Sequence, residues 1–133
     1  MSKINDYAVF VDSTTSIESK DYLAFIARAS DLQASEITNV PRILTSAIGM
    51  LAESGEFAEI MKKVVFQGKP FGEDERFHMK RELGDILWYW IQGCIALGYT
   101  PDEVMDENIK KLEARYPNGF EVARSENRQQ GDI

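Results

Sequence analysis

One cysteine and one histidine in 133 residues leave little with which to build a disulfide or a soft-metal site. Cys94 has no partner for an internal disulfide and lies in an apolar helical stretch, so it reads as a small buried hydrophobe. His78 alone supplies neither the nitrogen ligands of catalytic zinc nor the two Glu-x-x-His pairs of di-iron bundles, and it reads as a surface histidine. Long apolar runs are absent too. Ile86 to Leu97 is interrupted by Gln92 and falls short of the roughly 20 residues that span a bilayer. No basic cluster offsets the net charge of −7, which argues against nucleic acid as a partner, because its phosphates would be repelled. Met1 to Thr15 carries Asp6 and Asp12 within its apolar stretches instead of a basic region before an apolar run, which disfavours a signal peptide. The expected location is cytoplasmic. No Gly-x-x-x-x-Gly-Lys loop is present, so any bound phosphates must be held by metal and side chains.

What is present is ordinary globular composition, 44% apolar and 28% charged, in a length that suits one domain over 1–133. The core is expected over about 20–117, with a polar tail at 118–133. Tyr22, Phe25, Ile26 and Ala29 recur at helical spacing and predict a first helix over about 20–35, capped by Ser19. A second, of about 25 residues, should start near Pro41 and run through Ile43, Ala47, Met50, Leu51, Phe57, Ile60, Met61 and Val64. Gln67 to Gly72 holds two glycines and a proline and must be a loop. A third helix follows from about Asp74 to Leu97 and is ended by Gly98. Thr100-Pro101-Asp102-Glu103 is a capping box with a first-turn proline, opening a fourth helix that stops at Pro117-Asn118-Gly119. Strand patterning is confined to a weak segment at Ala8 to Val11, so the predicted fold is all-α, a four-helix bundle.

Two acidic pairs carry the chemistry. Glu53 and Glu56 are three apart, as are Glu82 and Asp85, so each pair shares one helix face. Such a pair alone is usually a solvated face. Here Glu82 and Asp85 open directly onto Ile86-Leu87-Trp88-Tyr89-Trp90-Ile91, apolar nearly all round and expected to be buried, which puts Asp85 at the edge of the core. Gly55 and Gly84 each sit inside an acidic pair, where a helical glycine costs roughly 1 kcal/mol relative to alanine. Close helix approach or room for a bulky ligand would explain them. Four converging carboxylates would repel one another unless cations neutralised them, and all-oxygen ligation suits Mg2+, or Mn2+.

With Glu53-x-x-Glu56, then 25 residues, then Glu82-x-x-Asp85, the sequence resembles the MazG-like, all-alpha NTP pyrophosphatase superfamily. The resemblance extends to Lys62-Lys63, to Trp88 and to Asn108 through Pro117, and covers roughly residues 40–120. It implies a homo-oligomer, dimer or tetramer, in which Glu53, Glu56, Glu82 and Asp85 hold magnesium on a nucleoside triphosphate. Water then attacks the α-phosphorus and pyrophosphate leaves. Glu56 is the expected water-orienting or general-base residue. Asn108, Lys111 and Arg115 form one polar stripe, solvated on spacing alone, which the resemblance turns toward substrate contacts with Lys63 as a further candidate. Trp88 reads either as core or as a base platform. Two alternatives stay open: a narrower phosphohydrolase acting on dUTP, dCTP, phosphoribosyl-ATP or a guanosine alarmone, and a non-catalytic helical oligomerisation module.

Overall fold

The computed structural model describes residues 3–127, and these form six α-helices and one 3₁₀ turn with no β-strand among them. The chain divides into two compact units, Met1–Pro41 and Arg42–Ile133.

In the first unit, α1 (Lys3–Thr14) includes the segment whose alternation had hinted at a strand. Its end shows why a helix wins. The hydroxyls of Ser13 and Thr14 donate to the Phe10 carbonyl at 2.8 and 3.0 Å, and that of Thr15 donates to the Val11 carbonyl at 2.6 Å, satisfying acceptors that the last turn leaves open. A 3₁₀ turn at Ile17–Ser19 leads to α2 (Tyr22–Ala34). Its cap is Asp21, whose carboxylate accepts the Ala24 N–H at 2.8 Å. Ser19, expected as the cap, sits in the 3₁₀ turn with its hydroxyl 3.2 Å from that of Ser16, because the helix begins two residues later than the apolar pattern suggested.

α3 (Val40–Gln67) begins with the Val40 N–H donating to the Gln33 side-chain carbonyl at 2.9 Å. In the second unit it continues to the Gly68–Gly72 loop, and α4 (Glu73–Leu97) follows. Three acidic residues, Glu73 to Glu75, occupy the first turn of α4 and complement its dipole, and Glu75 accepts the Gly72 N–H at 2.8 Å. Gly98 ends the helix at φ 76°, a left-handed conformation that glycine adopts without steric cost. α5 (Pro101–Arg115) carries the predicted capping box: the Thr100 N–H donates to Glu103 at 2.7 Å, and the Glu103 N–H donates to the Thr100 hydroxyl at 3.2 Å. Within the polar tail lies α6 (Val122–Glu126), where Arg124 pairs with Glu121 at 3.0 Å and reaches the Arg115 carbonyl at 3.5 Å. The rest of that tail, Arg128 included, lies outside the described residues.

Burial departs from the expected bundle core. Cys94 is buried as expected, but among large apolar residues of α4 Ile86, Tyr89, Trp90 and Ile91 are only half-buried. Trp88 is 54% exposed, Leu51 on α3 is 77% exposed and Phe66 82%. No described helix is long and apolar enough to cross a membrane.

Candidate functional site

Two helix faces meet where small residues permit it. Ser46, fully buried on α3, donates its hydroxyl to the Tyr89 carbonyl of α4 at 2.8 Å. The Tyr89 ring lies over Gly49, where any Cβ would collide with it, and a Cβ on Gly93 would stand 2.7 Å from the Ser46 hydroxyl. Ser46 precedes Glu53 by seven residues, and Tyr89 follows Glu82 by seven. The seam and the carboxylates therefore share the same faces of α3 and α4, separated by about two turns.

Above that seam Glu53, Glu82 and Asp85 converge, one carboxylate oxygen from each lying within 4.8 Å of the others. Glu53 and Glu82 are half-buried and Asp85 is exposed at the rim. Partial burial raises the Glu53 carboxyl above its ordinary range, helped by the Glu56 charge, by a hydrogen bond with the Glu82 carboxyl, and by the charges of Asp85 and Glu82. Glu56 stands outside the close trio but is coupled to Glu53 electrostatically. Gly55 and Gly84 have open space where a side chain would go. Close helix approach, one of the two reasons inferred for these glycines, thus belongs to Gly49 and Gly93 instead.

The other sequence-selected residues fall into different settings. Lys63 pairs with Glu59 at 3.5 Å and lines a cavity of about 180 Å³ at the loop end of α3 and α4, together with His78. Trp88 stacks edge-on against Tyr89, with ring centroids 4.9 Å apart. Asn108 and Lys111 line an open groove of about 360 Å³ with Trp90, Val104 and Met105. Arg115 places its guanidinium 5.9 Å from the Tyr116 ring centre. The seam residues Ser46, Gly49, Tyr89 and Gly93 escaped the sequence reading. Ser46 and Tyr89 stand in seven-residue register with Glu53 and Glu82, but that spacing does not say which faces of the two helices pack together.

The described residues are helical, and they bring together three carboxylates from two adjoining helices that could hold a cation. The family model of the MazG nucleotide pyrophosphohydrolase domain matches residues 43–120, more than half of the chain and all four acidic positions. The chain belongs to that family. It is also 26% identical over 96 residues to the Gene 37 protein of Mycobacterium phage L5, covering 71% of this chain and 84% of that protein. No solved structure matches it.

Proposed function

We propose that the protein is a magnesium-dependent hydrolase that cleaves nucleoside or deoxynucleoside triphosphates between the α and β phosphates, releasing the monophosphate and pyrophosphate. The observation that carries this is the Glu53, Glu82 and Asp85 trio, within a chain of the pyrophosphohydrolase family. The donor set fits the ion: all oxygen, no thiolate or imidazole within it, and a Glu53 carboxyl whose crowding a cation would relieve. Glu53, Glu82 and Asp85 would hold the ion, with Glu56 one turn along α3 to join them. Magnesium, when bound, supplies charge neutralisation and Lewis-acid polarisation at the phosphates; manganese would serve as well.

The residues of the chain do the rest. Glu56 orients the attacking water and accepts its proton, because its carboxylate is the member of the four left outside the tight trio. Asn108, Lys111 and Arg115 offer amide and cationic contacts to phosphate and sugar, and Lys63, in the cavity at the loop end of α3 and α4, is a further candidate for contact with the substrate. Trp88, exposed and braced on Tyr89, offers a stacking face. The exposed apolar side chains of α3 and α4 favour a homo-oligomer, a dimer or tetramer in which a four-helix bundle is completed; light scattering after size exclusion should return a multiple of the chain mass.

The deciding experiment incubates a panel of nucleotides with the purified protein and magnesium, and separates the products by chromatography. Monophosphate plus pyrophosphate, lost in excess chelator, is the expected result. Diphosphate plus inorganic phosphate would overturn the proposed reaction.

A further inference from the structure

Taking the proposed nucleotide chemistry as its basis, we infer that the cavity at the loop end of α3 and α4 is a nucleobase subsite, in which Asp74 selects bases bearing an exocyclic amino group over uracil and thymine. Ile60 follows Glu53 by seven residues and His78 precedes Glu82 by four, so this cavity continues the stripe that carries the carboxylates. At a rise of 1.5 Å per residue, His78 lies about 6 Å and Asp74 about 12 Å along α4 from Glu82. That is the reach of a sugar and base from a phosphate held at the trio.

Size and charge identify the occupant. A volume of about 180 Å³ is below the roughly 300 Å³ at which pockets begin to enclose a whole drug-sized ligand, so one fragment of a nucleotide fits and the whole does not. Half-buried Ile60 and Val64 supply an apolar wall suited to a planar ring. The phosphate end is the poorer candidate. Asp74 and Glu75 cancel the charge of Lys63 and Lys69, and the Lys63 ammonium is already paired with Glu59 at 3.5 Å.

Among the acidic groups of the cavity, one is free to read a base edge. Glu75 is committed to the Gly72 N–H at 2.8 Å, which holds its carboxyl below the usual range. The Asp74 carboxylate has no hydrogen-bond or ion-pair partner among the described residues. An ionised carboxylate only accepts hydrogen bonds. It therefore matches the amino group of cytosine, or the adjacent N1–H and amino donors of guanine, and it opposes the carbonyl that uracil and thymine present in place of the cytosine amine.

The test compares dCTP with dUTP and dGTP with dITP, each pair differing at the amino group. It measures kcat/KM with magnesium and, separately, calorimetric binding of the corresponding monophosphates. The parent is expected to favour the amino member of at least one pair by about tenfold or more, within what one good base contact discriminates. Asp74→Ala should bring that ratio close to one. Glu73→Ala removes the same first-turn charge from a residue that pairs with Arg76, and should keep the ratio. Equal use of both members by the parent, or a preference that survives Asp74→Ala, would overturn the subsite. A parent that binds dCMP or dGMP with the expected preference but hydrolyses no nucleotide would uphold the subsite and overturn the hydrolase assignment.

Discussion

The hydroxyl of the fully buried Ser46 meets the carbonyl of the half-buried Tyr89 at 2.8 Å, tying α3 to α4 about two turns from Glu53 and Glu82. The carboxylates can converge only because the helices approach this closely beneath them, and Gly49 and Gly93 are what permit the approach. Gly49→Ala should therefore be costly. Alanine gains about 1 kcal/mol of helix propensity, but its methyl would strike the body of the Tyr89 ring, and such overpacking typically costs 1–3 kcal/mol. The expected net is a loss of up to about 2 kcal/mol, with weaker magnesium binding as the carboxylates separate. Chemical denaturation and a magnesium titration of the variant check both effects.

Gly55 and Gly84 should behave in the opposite way. A methyl group at either position meets nothing in the chain, so only the propensity term acts. Gly55→Ala and Gly84→Ala are each expected to stabilise the metal-free protein by up to about 1 kcal/mol. If the open space accommodates substrate, the same variants should raise KM. Denaturation and steady-state kinetics on the two variants separate these effects, and a loss of stability at either position would mean that the space is filled.

What the sequence disclosed follows what its residues could signal locally. The loop at Gly68–Gly72, the stop at Gly98 and the Thr100–Glu103 box lie within a few positions of where residue type placed them, because glycine, proline and capping side chains act on their own turn. The acidic pairs were legible for the same reason, as spacing on one helix. The Ser46–Tyr89 seam was not, since it joins residues 43 positions apart and depends on which faces of two helices pack together. α1 was missed because Ala8 to Val11 reads equally as a short strand or a helical stretch, and the hydroxyls of Ser13, Thr14 and Thr15 decide the matter at the backbone. The partial exposure of Trp88 and its neighbours was illegible too, because an apolar run says that burial is favoured and not what provides it.

The pH dependence of the metal-free protein should carry the sign of Glu53. Its carboxyl is raised in the fold, so its contribution to stability is fully present below the ordinary glutamate range and is lost as pH rises through the raised value. Glu75 and Glu103, lowered by the Gly72 N–H and the Thr100 N–H respectively, act in the opposite sense: their contributions are present above the ordinary value and are lost as pH falls through the lowered one. Thermal melting of the parent against Glu53→Gln cancels the capping residues and isolates Glu53. The parent should lose ground to the variant as pH rises above the ordinary glutamate range and through the raised Glu53 value. Magnesium affinity of the parent should climb over the same interval, with proton release, because the ion competes with the proton for the same oxygens. An affinity independent of pH would place the ion elsewhere.

Glu56→Gln should abolish turnover while leaving the metal-free protein as stable as the parent or slightly more so, and both effects have one cause. Glu56 lies one turn from Glu53, and its charge is among the influences that push the Glu53 carboxyl up. Replacing it with an isosteric amide removes a repulsion that the metal-free fold tolerates at a cost. It also removes the acceptor for the proton of the attacking water, so hydrolysis should stop even where nucleotide still binds. With magnesium the ranking should reverse. A ligand bound only by the folded state stabilises by RT ln(1 + [L]/Kd), about 2.7 kcal/mol at a hundredfold excess over Kd, and the parent, with the fuller set of carboxylates, should gain more than the variant. Melting both proteins with and without magnesium, beside a pyrophosphate-release assay, reads all three effects. A solvated helix residue would instead shift stability by less than about 0.5 kcal/mol in either condition and leave turnover intact, and that result would remove Glu56 from the site.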